Sequence, residues 1–133
     1  MNSLNGHITH IKVNGSLSLV TIGLGKNATI QSIVIETPKT APYLQTGKPV
    51  KVFFKETEVI IGNNENHAIT LQNRILGTIK EIEKGTLLSK VSIDSDAGKL
   101  ISVISTDSCE YLNLKKGDMV FAMVKLNEIM LSE

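Results

Sequence analysis

No tryptophan occurs in this chain of 133 residues, and its only aromatic side chains are Tyr43, Phe53, Phe54, Tyr111 and Phe121. A core without large rings must be aliphatic, built on Ile, Val and Leu, and β-branched enrichment of that kind favours strands. Cysteine is nearly absent: Cys109 stands alone, so no internal disulfide forms, and no CxxC or HxxxH pair offers a zinc cage. Neither sign of charge prevails. Fourteen Lys and Arg face thirteen Asp and Glu, a formal net charge of +1, which sets up no field to attract a polyanion or an acidic membrane. The longest apolar run ends at Val124 and falls far short of the roughly 20 residues that a membrane helix needs. The opening MNSLNGHITHIKV lacks the basic head and apolar core of a secretory leader. These absences predict a cytoplasmic protein with neither a membrane nor a nucleic-acid partner.

Hydrophobic residues make up 41% and charged residues 20%, the composition of a chain that folds. Short apolar stretches at His7–Val13, Leu17–Ile22, Thr29–Ile35, Val50–Lys55 and Val59–Ile61 are punctuated by Asn14-Gly15, Gly23, Gly25 and Gly47. That spacing is expected of a small β barrel or sandwich. The second half repeats it at Arg74–Ile82, Thr86–Ile93, Lys99–Ser105, Val120–Lys125 and Glu128–Leu131. The polar stretch Gly62–His67 reads as the link between two copies, residues 1–64 and 65–133.

Laid on one another at a register of about seventy residues, the halves match in more than apolar pattern. Asn2, Gly6, Ile8, Ile11, Ser18, Val20, Ile22, Ile30 and Ile33 fall on Asn73, Gly77, Ile79, Ile82, Ser89, Val91, Ile93, Ile101 and Ile104. After a one-residue adjustment Leu44, Gly47, Val50, Lys55 and Glu58 fall on Leu114, Gly117, Val120, Lys125 and Glu128. Both copies therefore place an ammonium, Lys55 or Lys125, at one topological point. Between the third and fourth strands of copy two, Ser105–Leu112 reads as one helical turn opening on hydroxyls, a place where free backbone N–H groups suit an anion. Copy one has Thr37-Pro38-Lys39-Thr40-Ala41-Pro42 there, so the copies need not be equivalent.

At these residues the sequence resembles the molybdate-binding Mop, or TOBE, domain in its tandem form. Ile69–Gly77 looks like that family's I-S-A-R-N-x-x-x-G opening, Ile104–Ser108 like its I-T-x-x-S turn, Leu112–Val120 like its L-x-L-x-x-G-x-x-V, and Lys125–Leu131 like its K-A-S-E-V-I-L close. Copy one keeps the entry at Gly6-His7-Ile8 and the close at Lys55–Ile61. The resemblance implies an all-β protein: two tandem OB-like five-stranded antiparallel barrels, each with a short helical turn. It further implies a homo-oligomer, trimer before dimer, that holds molybdate or tungstate between copies. Thr70 stands at the family's oxyanion-binding Ser, Gln72 at its Arg, Ser105 and Ser108 at the turn hydroxyls, and Lys125 and Lys55 at the anion-contacting lysine.

A tetrahedral dianion offers acceptors and no donors at neutral pH, so hydroxyls, N–H groups and a lysine suit it. The metal enters as its oxyanion, so no side chain is expected to ligate it directly. Gln72 lacks the charge and bidentate fork of arginine. Copy one, beginning one residue before Asn2, has no I-S-A-R segment, and Glu56 beside Lys55 opposes a dianion. His7 and His10, three apart on a strand, are expected to face opposite sides and share no metal; Cys109 reads as a small buried filler. Copy one carries +3 and copy two −2. The expected function is storage, buffering or sensing of a small oxyanion. The alternative is an interaction or regulatory module whose anion site is weakened or lost. Single-stranded nucleic-acid binding, which such barrels support elsewhere, lacks its basic groove and stacking rings here. No paired carboxylates, activated nucleophile or phosphate loop points to an enzyme.

Overall fold

A computed structural model describes all 133 residues and is almost entirely β. Ten strands run β1 (Asn2–Asn14), β2 (Leu17–Leu24), β3 (Ala28–Val34), β4 (Pro49–Phe54), β5 (Ile60–Asn63), β6 (Arg74–Lys84), β7 (Leu88–Ser95), β8 (Gly98–Ser105), β9 (Met119–Met123) and β10 (Met130–Ser132). One α-helix, α1 (Thr106–Tyr111), follows β8, and single 3-10 turns at Glu56–Glu58 and Leu126–Glu128 precede β5 and β10. No helix is long and apolar enough to cross a membrane.

The strands form two five-stranded antiparallel sheets, ordered β10-β4-β1-β2-β3 and β5-β9-β6-β7-β8. Each sheet gains one edge from the last strand of the other copy: Ile61 of β5 lies opposite Ala122 of β9, and Leu131 of β10 opposite Val52 of β4. The sheets interleave across the boundary expected near residue 64. A single core follows, in which 24 buried residues of both copies form one cluster. Phe54 is the only aromatic ring in it, among Ile8, Ile22, Leu24, Leu44, Ile79, Ile93 and Leu100.

The glycines that recur in both copies answer two different needs. A Cβ on Gly6 would lie 2.6 Å from Ile22 Cγ2, and one on Gly77 2.5 Å from Ile93 Cγ2, so the first strand of each copy lies too close to the second for a side chain. Gly47 and Gly117 instead adopt φ values of +91° and +94° in the turns before β4 and β9, a conformation that L side chains rarely take.

Three local expectations change. Gly62 and Asn63 belong to β5, so the link between copies begins after them. The helical turn is an α-helix in copy two only. In copy one Pro38 is compatible with a first turn, but Pro42 lacks an N–H and its ring would meet the carbonyl four residues back, so Thr37–Leu44 makes separate turns, closed by Ala41 N–H on the Thr37 carbonyl (2.8 Å) and Leu44 N–H on the Ala41 carbonyl (3.0 Å). The one-residue step between copies falls earlier than the apolar pattern suggests, in the β2–β3 turn. Residues 25–27 connect Leu24 to Ala28 in copy one, and only Asp96 and Ala97 connect Ser95 to Gly98 in copy two. Ile30 therefore corresponds to Leu100, Gln31 to Ile101 and Ile33 to Val103.

His7 and His10 are also rearranged. A bulge between Ile8 and His10 sets His10 opposite Thr21 and His7 opposite Gly23, and cross-strand partners share a face. Both histidines therefore lie on the outer face, while Ile8 and Ile11 both turn inward. No group of three His, Cys, Asp or Glu side chains capable of holding a metal ion occurs.

Candidate functional site

The two halves are joined by side chains that act as strand partners. Asn73, buried at the start of β6, accepts the Gln31 backbone N–H on Oδ1 (2.8 Å) and donates from Nδ2 to the Gln31 carbonyl (2.7 Å). Asn2 does the same to Ile101, at 2.8 Å for both bonds. Buried Ser32 Oγ donates to the Ile129 carbonyl (2.8 Å) and buried Ser102 Oγ to the Val59 carbonyl (2.7 Å). These four clasps fix the start of β1, the segment before β6 and the turns after Lys55 and Lys125 against the opposite copy. No buried side-chain polar atom lacks a partner.

One clasp forms the floor of a cleft of about 240 Å³ lined by Gln31, Thr70, Leu71, Gln72, Asn73, Lys125 and Leu126. Three of the six expected site residues, Thr70, Gln72 and Lys125, thus meet here. Gln72 Nε2 donates to the Ile69 carbonyl (2.9 Å), and the Arg74 guanidinium braces the segment from behind through the Leu71 (3.0 Å) and His67 (2.7 Å) carbonyls. Lys125 begins the turn ahead of β10 and makes no salt bridge; the only two ion pairs are Met1 amine with Glu56 and Lys80 with Asp94. No carboxylate lines the cleft. Its chemistry is one free ammonium, a hydroxyl and amides, a set that donates to an anion and repels a cation.

Ser105 and Ser108 lie elsewhere. They line a second hollow of about 420 Å³ with Thr57, Ile60, Ile61, Val103, Tyr111 and Leu112. Ser105 caps α1 by accepting the Ser108 N–H (3.0 Å) and donates from Oγ to Ser108 Oγ (2.8 Å), so the Ser108 hydroxyl proton remains available. The helix start is less open than the sequence suggests. Thr106 N–H is held by the Leu87 carbonyl (2.9 Å), and Asp107 occupies the first turn. In copy one Ile35 and Pro38 stand at the places of Ser105 and Ser108, so that turn has no matching hydroxyls.

Lys55 starts the turn that packs on β8, the counterpart of the Lys125 turn on β3. At the strand position that Gln31 holds in copy one, copy two carries Ile101, and the Glu56 carboxylate beside Lys55 lies 3.5 Å from the Met1 amine. Gln31 itself escapes a reading of the sequence. Aligning Ile30 with Ile101 hides the fact that an amide in one copy stands where the other has a hydrocarbon.

Comparison with known proteins places the chain in a family. The TOBE domain model matches residues 70–131. Molybdenum-pterin-binding protein 1 of Clostridium pasteurianum is 31% identical over 65 residues, covering 48% of this chain and 96% of that protein. The chain belongs to the Mop family of TOBE-domain proteins. Beyond single Mop units, the molybdenum import ATP-binding protein ModC of Mesorhizobium japonicum is 33% identical over 92 residues, which is 68% of this chain and 24% of that protein. The chain thus spans about a quarter of the length of that relative. The tandem Mop arrangement also matches the structure of the cytoplasmic molybdate-binding protein ModG with molybdate bound. The two share a TM-score of 0.90 at 24% identity, over 98% of this chain and 94% of that one, which establishes the shared fold.

Proposed function

We propose that this Mop protein binds molybdate or tungstate as the tetrahedral oxyanion, in the cytoplasm, and stores, buffers or senses it without catalysing a reaction. The observation that carries this reading is the Lys125 cleft: an unpaired ammonium with Thr70 and Gln72 and no carboxylate among its lining residues. The names of its relatives support the same chemistry, since those proteins are described as molybdenum-pterin-binding and molybdate-binding. Charge-assisted hydrogen bonds from an ammonium to an oxyanion are the strongest available to such a site.

Ser105 and Ser108 complete the site from a second copy of the chain. They line a different hollow from Lys125 within one chain, and the surface around them is apolar: Leu87 is 79% exposed, Leu88 60%, Tyr111 89% and Ile60 50%. An exposed apolar patch of that kind marks an association surface. A homo-oligomer, trimer before dimer, would cover it and bring the hydroxyls to a neighbour's lysine. Lys55 holds the corresponding place at the other end of the chain. With balanced charge and five aromatic residues, the protein has no nucleic-acid or membrane partner in this reading.

Calorimetric titration of one preparation with molybdate, tungstate and sulfate tests the function. Molybdate and tungstate should bind with similar affinity and sulfate more weakly. Absence of heat and of any thermal stabilisation with all three would leave the interaction-module reading in its place.

A further inference from the structure

Gln31 is the only residue of the first half that lines the Lys125 cleft, and its setting suits a ligand donor. Its Nε2 donates to Thr21 Oγ1 across the β2–β3 pair at 3.2 Å, which anchors the amide and leaves a second N–H uncommitted. Its backbone is held on both sides by Asn73, so the side chain is presented from a fixed strand. The fold does not require an amide here. Ile101 occupies the equivalent place in β8 under an identical clasp from Asn2, and the sheet accepts it. A half-buried glutamine costs side-chain entropy and desolvation that an isoleucine does not.

We infer that Gln31 contacts the ligand and sets the preference between the two ends of the chain. Its free N–H donates to an oxyanion held by Lys125, Thr70 and Gln72, and the Lys125 end is therefore the stronger anion site, with Ile101 denying the same donor to the Lys55 end. The inference rests on the oxyanion reading above. It adds a copy-one residue to a site whose other lining residues all come from copy two.

The test uses the full chain, sodium molybdate, titration calorimetry and thermal melting, with Gln31→Ile and Gln31→Glu beside the wild type. Gln31→Ile should melt like the wild type without ligand, because Ile101 already fits that place, and should bind molybdate about tenfold more weakly, the low end for losing one hydrogen bond to a charged acceptor. Gln31→Glu, nearly isosteric, turns a carboxylate toward a dianion and should weaken binding by about 30-fold or more, since like charges in contact are strongly unfavourable. Wild-type binding with both variants within about twofold of it would overturn the inference. So would a Gln31→Ile variant that loses stability without ligand yet keeps its affinity. A wild type that gives neither heat nor thermal shift would instead overturn the oxyanion reading itself.

Discussion

Asn73 and Gln31 are 42 residues apart and bonded twice, with the Asn73 side chain occupying the place of a neighbouring strand on β3. Both groups it serves are backbone atoms that no other strand of the sheet reaches, since β3 is an edge strand. Asn73→Ala leaves the Gln31 N–H and carbonyl without partners, at about 1–3 kcal/mol for each group that stays dry. The expected result is a lower melting temperature together with weaker molybdate binding, because Thr70, Gln72 and Gln31 all depend on that clasp. Asn2→Ala should destabilise to a similar extent and leave the Lys125 cleft intact. Thermal melting with and without molybdate separates the two.

The exchanged strands predict where a truncation acts. A chain ending at Lys125 loses β10 and the buried Ile129, worth about 1.5–3 kcal/mol of apolar burial, and leaves Ser32 Oγ without the Ile129 carbonyl. The damage falls on the sheet of the first copy, although the deletion is at the end of the second. Hydrogen exchange should show lost protection at the β4 amides that face β10 and at β3. The β9 amides, between β5 and β6, should keep theirs. Equal loss in both sheets would contradict the exchange.

Assembly is checked at Leu87. Light scattering of the wild type should return a multiple of 14.5 kDa, with three chains first in expectation. Leu87→Glu places a charge on the apolar surface beside Ser105 and should shift the population to single chains. Because the hydroxyls and Lys125 lie in separate hollows of one chain, the same variant should bind molybdate less tightly. A wild type that stays at 14.5 kDa with and without molybdate would sink the shared site.

Nucleic acid supplies a negative control. With a formal net charge of +1 the counterion-release term behind non-specific binding is small. A fluorescent single strand should show no anisotropy change at micromolar protein and physiological salt. A rise that weakens with added salt would contradict this expectation.

Much of the fold was legible because period-two apolar patterning, turn glycines and an internal repeat all pointed the same way. Gly6 and Gly77, and Gly47 and Gly117, stand as pairs in the sequence, and close approaches for the first pair and positive φ values for the second are the reasons. What escaped notice depended on single-residue insertions. The bulge after Ile8 reverses the side-chain alternation that a straight strand implies, and so turns His7 and His10 to one face. The shorter β7–β8 turn moves the repeat register by one, and with it the identity of the residue facing each lysine. Apolar strands tolerate such slips in an alignment because Ile30 matches Ile101 as readily as Leu100. Strand exchange was likewise hidden, since β5 and β10 carry the same pattern and either sheet could take either strand. Of the six residues expected to meet the anion, Thr70, Gln72 and Lys125 share a cleft, while the placing of Ser105 and Ser108 in another hollow is a property of the chain's path.

Lys125 carries the only charge in that cleft, and its removal is the most direct test of the chemistry. If Lys125 meets the oxyanion as proposed, Lys125→Ala deletes a charge-assisted hydrogen bond, about 1.5–3 kcal/mol, together with a formal positive charge that the neutral hydroxyls of Thr70, Ser105 and Ser108 do not supply. Affinity for molybdate should fall by roughly tenfold to a hundredfold, more than for any single hydroxyl variant. The fold should be unchanged, because Lys125 is exposed and begins a turn held by Ser32 and the Ile129 carbonyl rather than by its own side chain. Gln72→Arg acts in the opposite direction. It gives up the bond to the Ile69 carbonyl and gains a second cation with bidentate geometry, so molybdate should bind more tightly and with a steeper dependence on ionic strength. Circular dichroism and light scattering on the same samples show whether secondary structure and assembly are retained. Unaltered affinity in Lys125→Ala, with fold and mass intact, would reduce that lysine to a solvated side chain and bring forward the module whose anion site has decayed.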